Sequence, residues 1–228
     1  QADGGSMASA FLGGVIFNAA NILLSAAIAL SGMSVAFPVG VGLALVLGVL
    51  VNYFSAAKGD PRFIFLGVAL IAAAIVMNGI AYKKAQTGQR KTPTKGILIA
   101  VAAGVIMAFF YRFVAASMDL DDFVSPAPGK LTPYTAVFIF ATGVFASNFL
   151  FNTVAMKRPV EGPPVRIADY FRGGVRTHLV GILGGTIWCI GTSLSMIASG
   201  KAGAAISYGL GQGATLVSAL WGIVIWKE

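Results

Sequence analysis

Four asparagines stand at spacings that pair them on helix faces. Asn148 and Asn152 are four residues apart, and Asn18 and Asn21 are three apart, so each pair shares one face of a helix. An amide both donates and accepts hydrogen bonds, which suits a sugar hydroxyl or a ureide group equally. Facing lipid it would be costly, so it turns to another helix, the bundle interior or water. Two readings stand: hydrogen bonding between helices, or a solute site. Asn18 lies about ten residues into its apolar run, near mid-depth. Trp188, Tyr208 and Phe17 offer flat apolar walls beside these amides, the usual make-up of a small-molecule pocket, with core packing as the alternative. Gln212 follows Tyr208 by one turn on the same face. One histidine and one cysteine leave no metal-ligand set and no cysteine framework. No metal, cofactor or catalytic group is expected, and an enzyme is not.

The elements that carry these residues are membrane spans. Hydrophobic residues make up 57% of the 228 and charged residues 11%, against roughly 25% charged in soluble domains. Seven apolar runs are long enough to cross a bilayer: Phe11–Leu30, Met33–Phe54, Phe63–Tyr82, Ile97–Met118, Tyr134–Met156, Leu179–Ala198 and Ala202–Trp226. They contain no Asp, Glu or Lys and one arginine, Arg112. That charge either snorkels to the interface or faces a cavity and pairs with an anion, with Asp119, Asp121 and Asp122 near enough to partner it at the outer mouth. Loops 83–95 and 157–178, with Lys227, carry eleven of the sixteen Lys and Arg residues. That face is cytoplasmic by the positive-inside rule. The net charge of +8 thus reads as topology and not as a nucleic-acid surface. Residues 165–176 read as a short interfacial helix with Ile167, Tyr170 and Phe171 towards lipid.

The chain repeats itself. Shifted by 171, Leu12–Tyr53 lies over Leu183–Val224 without a gap, with eleven of 42 positions identical. Five of six glycines meet glycine, Phe17 meets Trp188 and Phe37 meets Tyr208. Five spans separate the start of one copy from the start of the other. Five is odd, so the second copy crosses in the opposite sense, the inverted-repeat plan of an alternating-access transporter. Pro38 and its mate Gly209 fall in the same place of both copies and mark a candidate hinge or gate. Glycines spaced four apart, as at Gly181 and Gly185 or Gly209 and Gly213, are expected to let helices approach closely.

The stretches AFPVGVGLALVLGVLVNYF, KGILIAVAAGVIMAFFYRFVAASM and GILGGTIWCIGTSLSMIASGKAGAAISYGLGQGATLVSALWGIVIWKE resemble the drug/metabolite transporter superfamily, in its sugar-transporter (glucose/ribose porter) and ureide-permease branch. The resemblance implies ten helices in two inverted sets of five. At Arg112 it would lead one to expect a small or proline-like residue, so that helix differs locally.

The expected fold is therefore an all-α polytopic membrane protein of five-plus-five inverted repeats. This chain carries helices three to nine: residues 1–82 end the first repeat, 83–95 form a basic cytoplasmic linker, and 96–228 belong to the second. The expected function is secondary transport of a small neutral polar solute, sugar first and ureide or nucleobase next. Rival expectations are a drug or lipophilic-cation exporter and a non-transporting scaffold. The expected partners are the solute and the lipid bilayer, of a bacterial inner membrane or a plasma membrane. A coupling proton or cation and a homodimer are compatible with this plan. The candidate site comprises Asn18, Asn21, Asn148, Asn152, Trp188, Tyr208 and Gln212.

Overall fold

A computed structural model describes residues 2–85 and 94–213. The described residues are 81% helical, with no β-strand among them.

Helix α1 (Gly4–Ser31) opens on Asp3, whose carboxylate accepts the Ser6 amide at 2.6 Å, an ordinary N-cap. It closes on Gly32 at φ 77°, where the Gly32 amide donates to the Ile28 carbonyl. A positive φ of this size is strained for a residue with a Cβ. After it come α2 (Met33–Ala36), a π-helical turn (Phe37–Val41) and α3 (Gly42–Ser55). Pro38 accounts for the turn. It has no amide hydrogen and its ring crowds the preceding turn, so the register slips by one residue and the Gly42 amide reaches back to the Phe37 carbonyl.

Further helices are α4 (Pro61–Ala85), α5 (Thr94–Ser117), α6 (Pro133–Lys157), α7 (Ile167–Phe171), α8 (Val175–Ala202) and α9 (Ala204–Gly211). Helix α8 has 28 residues, as α1 does. It ends on Gly203 at φ 84°, whose amide donates to the Ser199 carbonyl. Both ends of α8, its terminal glycine and that hydrogen bond lie 171 positions after their counterparts in α1.

This moves one expected boundary. The sequence suggested a break between Ala198 and Ala202, but the helix continues through Ser199, Gly200 and Lys201 and turns at Gly203. The three are compatible with helical dihedrals, and Ser199 returns its hydroxyl to the Met196 carbonyl at 2.6 Å. Only Gly203 takes the positive φ that the turn needs. The interfacial helix is also shorter than expected. It covers five residues, with Asp169 bonded to Arg166 and near Arg172. Its Ile167, Tyr170 and Phe171 are exposed.

Helix α5 is the spine. Ala100, Ala103, Met107, Phe110, Tyr111 and Val114 are all buried on it, with α1 and α3 packed against it. Small residues set the spacing between α1 and α6. A side chain on Gly14 would overlap the Phe140 carbonyl, and one on Gly143 the Phe11 carbonyl, so the two backbones touch. Gly181 and Gly185 behave otherwise: a side chain on either would meet nothing among the described residues.

Five helical segments are long and apolar enough to cross a membrane: Gly4–Ser31, Phe37–Ser55, Thr94–Ser117, Pro133–Lys157 and Val175–Ala202. The apolar part of α4 is shorter, Pro61–Met77. The expected seventh span is described only as far as Gln212 and Gly213, and the rest of it lies outside the described residues, as does most of the linker 83–95. Outward faces are apolar, as with Leu179, Ile182, Leu183 and Ile187 on α8, each about 60% exposed. Water would penalise such a surface and hydrocarbon would not. The chain is an integral multi-pass membrane protein.

One end of the bundle is polar. Lys58 donates to the Gly200 carbonyl at 2.6 Å and lies 3.6 Å from Asp121. Lys130 donates to the Ala116 carbonyl at 2.8 Å, and the Asp3 amide to the Gly129 carbonyl at 3.0 Å. Asp119 accepts the amides of Ala127, Asp121 and Asp122. Those amides, Ala127 foremost, hold its carboxyl below the usual range. Asp122 accepts from Val124 and Ser125. The three aspartates are therefore committed to loop and lysine contacts, and none pairs with Arg112.

Candidate functional site

A cavity of about 560 Å³ opens between α1, the π turn, α5, α8 and α9. Its walls follow the internal register. The first copy contributes Phe17, Asn21, Leu24, Phe37 and Val41, and the second contributes Trp188, Thr192, Ser195, Tyr208 and Gln212. Each of the second five stands 171 positions after its counterpart in the first. Met107, Phe110 and Tyr111 of α5 lie between them. Helices α1 and α8, whose bounds match, and the segments that follow their terminal glycines thus present matching positions to one space.

The rings are packed into a wall. Phe17 stacks on Trp188 with centroids 4.8 Å apart and planes at 25°, and meets Phe110 edge-on at 5.0 Å. Tyr111 and Tyr208 meet edge-on at 5.7 Å. Trp188 remains 43% exposed, so one part of its indole is covered by Phe17 and another is free for a ligand.

Polar groups are few and oriented. The Tyr208 hydroxyl donates to the Ala44 carbonyl at 2.9 Å. The Tyr111 hydroxyl donates to the Ser195 carbonyl at 3.2 Å, and the Ser195 hydroxyl to the Ser207 carbonyl at 3.1 Å. Asn21 donates to the Phe17 carbonyl in its own helix at 2.9 Å, which leaves its carbonyl oxygen as an acceptor. The polarity is uneven: Ser195 answers Leu24, and Gln212 answers Val41. Apolar walls with a small polar set on one flank bind a flat molecule by its faces and orient it by its edge.

Of the expected site residues, the structure brings Asn21, Trp188, Tyr208 and Gln212 together. It places the other three elsewhere. Asn18 is buried between α1 and α6, donating to the Ser147 hydroxyl at 3.0 Å and to the Val144 carbonyl at 3.3 Å. Asn152 donates to Asn148 at 2.8 Å along one face of α6, and neither lines the cavity. Arg112 is exposed and lines a second cavity with Asn52. Pro38 sits in the π turn and Gly209 in α9, where an added side chain would stand 3.2 Å from Val49. Sequence reasoning missed Thr192, Ser195, Phe110 and Tyr111. The first two were within reach, being the counterparts of Asn21 and Leu24 in the 171-residue register. The α5 rings carried no such signal.

The family model described as ureide permease matches residues 80–228, about two thirds of the chain. The chain belongs to the ureide permease family. No curated protein and no solved structure matches it. Membership of the ureide permease family makes it a membrane permease for small solutes, and the match covers α5, α6, α8 and α9, which supply most of the cavity wall.

Proposed function

We propose that this permease is a secondary transporter that moves a small, neutral, flat solute with hydrogen-bonding edges by alternating access. A cyclic ureide or nucleobase is the favoured class. The observation that carries the reading is the cavity lined by five pairs of positions 171 apart. Two inverted copies rocking about a shared site must both contribute to it, and the site then opens to one side or the other. Pro38 and Gly209, themselves 171 apart, are the proposed hinge. On this plan the protein has ten helices in two sets of five, and the basic loops 83–95 and 157–178 face the cytoplasm.

The sequence placed sugar first. The rings of Phe17, Phe37, Phe110, Tyr111, Trp188 and Tyr208 around the cavity, together with the ureide permease family, now favour a planar ring that stacks. Hydantoin and glucose binding to the protein in lipid nanodiscs tests this, measured calorimetrically on wild type and Trp188→Ala. Stacking on an aromatic face is worth about 1–3 kcal/mol, so Trp188→Ala should weaken hydantoin by roughly five- to 150-fold. Glucose binding that exceeds hydantoin binding, or hydantoin binding indifferent to Trp188, contradicts the reading.

A further inference from the structure

A second cavity, of about 620 Å³, lies between α3 and α5 at the end of the bundle that holds Ser55 and Ser117. Three polar side chains line it. Ser55 returns its hydroxyl to the Val51 carbonyl at 2.7 Å, and the other two are not fully satisfied. Asn52 is 1% exposed. Its Nδ2 donates to the Gly48 carbonyl at 2.8 Å, while its Oδ1 has no hydrogen-bond partner among the described residues. A buried amide oxygen left without a donor is destabilising, and such groups are uncommon in folded proteins. Arg112, from α5, lines the same space. No carboxylate among the described residues pairs with it. The remaining wall is apolar, with Leu50, Phe54 and Ala116.

We infer that Asn52 and Arg112 form a binding site for an anion that carries its own hydrogen-bond donor. The guanidinium takes the anionic oxygens, in the planar geometry that suits carboxylate and phosphate. Asn52 Oδ1 takes an N–H or O–H from the same molecule. A halide meets only the first demand and a neutral amide only the second. Two sources share this chemistry: a free carboxylate with a neighbouring N–H, or an anionic lipid headgroup with hydroxyls.

The site is separate from the central cavity yet adjoins it. Asn52 bonds to the Gly48 carbonyl, and Gly48 lies directly against the Tyr208 ring, which lines the central space. An anion captured here rests one helical turn from the back of that ring.

The test uses the protein in phosphatidylcholine nanodiscs and three probes. N-carbamoylglycine has both the carboxylate and the N–H, acetate only the charge, and hydantoin only the donors. N-carbamoylglycine should bind more tightly than acetate. Arg112→Gln and Asn52→Leu should each weaken it by about tenfold to a hundredfold. Arg112→Gln alters an exposed side chain, so it reports on the site even where Asn52→Leu unfolds the protein. Hydantoin at the central cavity should be unaffected by Arg112→Gln, and N-carbamoylglycine unaffected by Trp188→Ala, so failure of either site is read separately. A lipid source gives a different signature. A phosphatidylglycerol adduct then survives in native mass spectrometry, is lost in Arg112→Gln, and displaces N-carbamoylglycine when the nanodiscs contain that lipid. Binding of neither the carboxylate nor the lipid, or binding that ignores Arg112, overturns the proposal.

Discussion

Replacing Gly48 with alanine asks whether α3 and α9 are held at the distance that the Tyr208 ring defines. The added carbon would overlap ring atoms Cε1 and Cζ and come 2.7 Å from Oη. The ring is held against a swing into the central cavity. Tyr208 is 2% exposed, Phe110 and Tyr111 flank it at 5.9 and 5.7 Å, and its hydroxyl is tied to the Ala44 carbonyl. The helices must therefore separate, and overpacking of this kind costs about 1–3 kcal/mol. Loss of the Tyr208 hydrogen bond would add about 0.6 kcal/mol, the mean for such bonds in membrane proteins. Thermal unfolding in detergent measures the cost, and the double mutant isolates its cause. In a Tyr208→Leu background the overlap is relieved, so Gly48→Ala should cost less than about 0.5 kcal/mol, the usual tolerance for additivity. Equal costs in both backgrounds would refute the reasoning, because they would put the penalty somewhere other than the Gly48–Tyr208 contact.

Gly203→Ala should lower unfolding stability by about 1–3 kcal/mol, the cost of a Cβ in the glycine-only region at φ 84° and ψ 156°, with Lys58 Cβ only 2.9 Å from the new carbon adding to it; unchanged thermal stability would contradict this. Asn18→Leu should cost about 0.6–1.7 kcal/mol, the range for interhelical bonds in a membrane protein, and leave solute affinity as in wild type, since Asn18 bonds Ser147 and does not line the cavity. Asp119 provides a pH dependence. Its folded carboxyl titrates below its ordinary value of 3.8, so its contribution is present above that value and is lost as pH falls through the folded one. Limited acid proteolysis of the protein in nanodiscs should accordingly open the 119–127 loop only below about pH 4, and Asp119→Asn should open it at neutral pH.

Much of this architecture was legible in the residues. Hydropathy located five of the seven expected spans, because a bilayer demands long apolar runs whatever their packing. The tight turn at Gly32 and the disturbance at Pro38 follow from backbone chemistry alone. The 171-residue register did more than expected, since it relates α1 to α8 at both ends and the two sides of the cavity residue by residue. What stayed hidden depends on helix rotation. Asn18 and Asn21 share a broad face, yet one meets α6 and the other the cavity, and three residues of spacing cannot separate those fates. Asn152 donates to Asn148, a pairing available to any amides four apart on one helix. The α5 rings were invisible because an aromatic in a spine helix is first a packing residue. The sequence leaves Arg112 between the interface and a cavity, and the aspartates offered as its partners hold loop amides and Lys58 instead.

The central claim is that one cavity, built from two related helix pairs, serves both sides of the membrane in turn. Single cysteines at Asn21 and Thr192, in a background lacking the exposed Cys189, address it most directly. These positions are 171 apart and line the cavity from α1 and α8. Labelling by a membrane-impermeant thiol reagent is measured from each side of sealed vesicles, with and without hydantoin. The account predicts that each cysteine is reached from both sides, and that hydantoin protects both positions equally. Labelling of either cysteine from one side alone, or labelling indifferent to hydantoin, would contradict it.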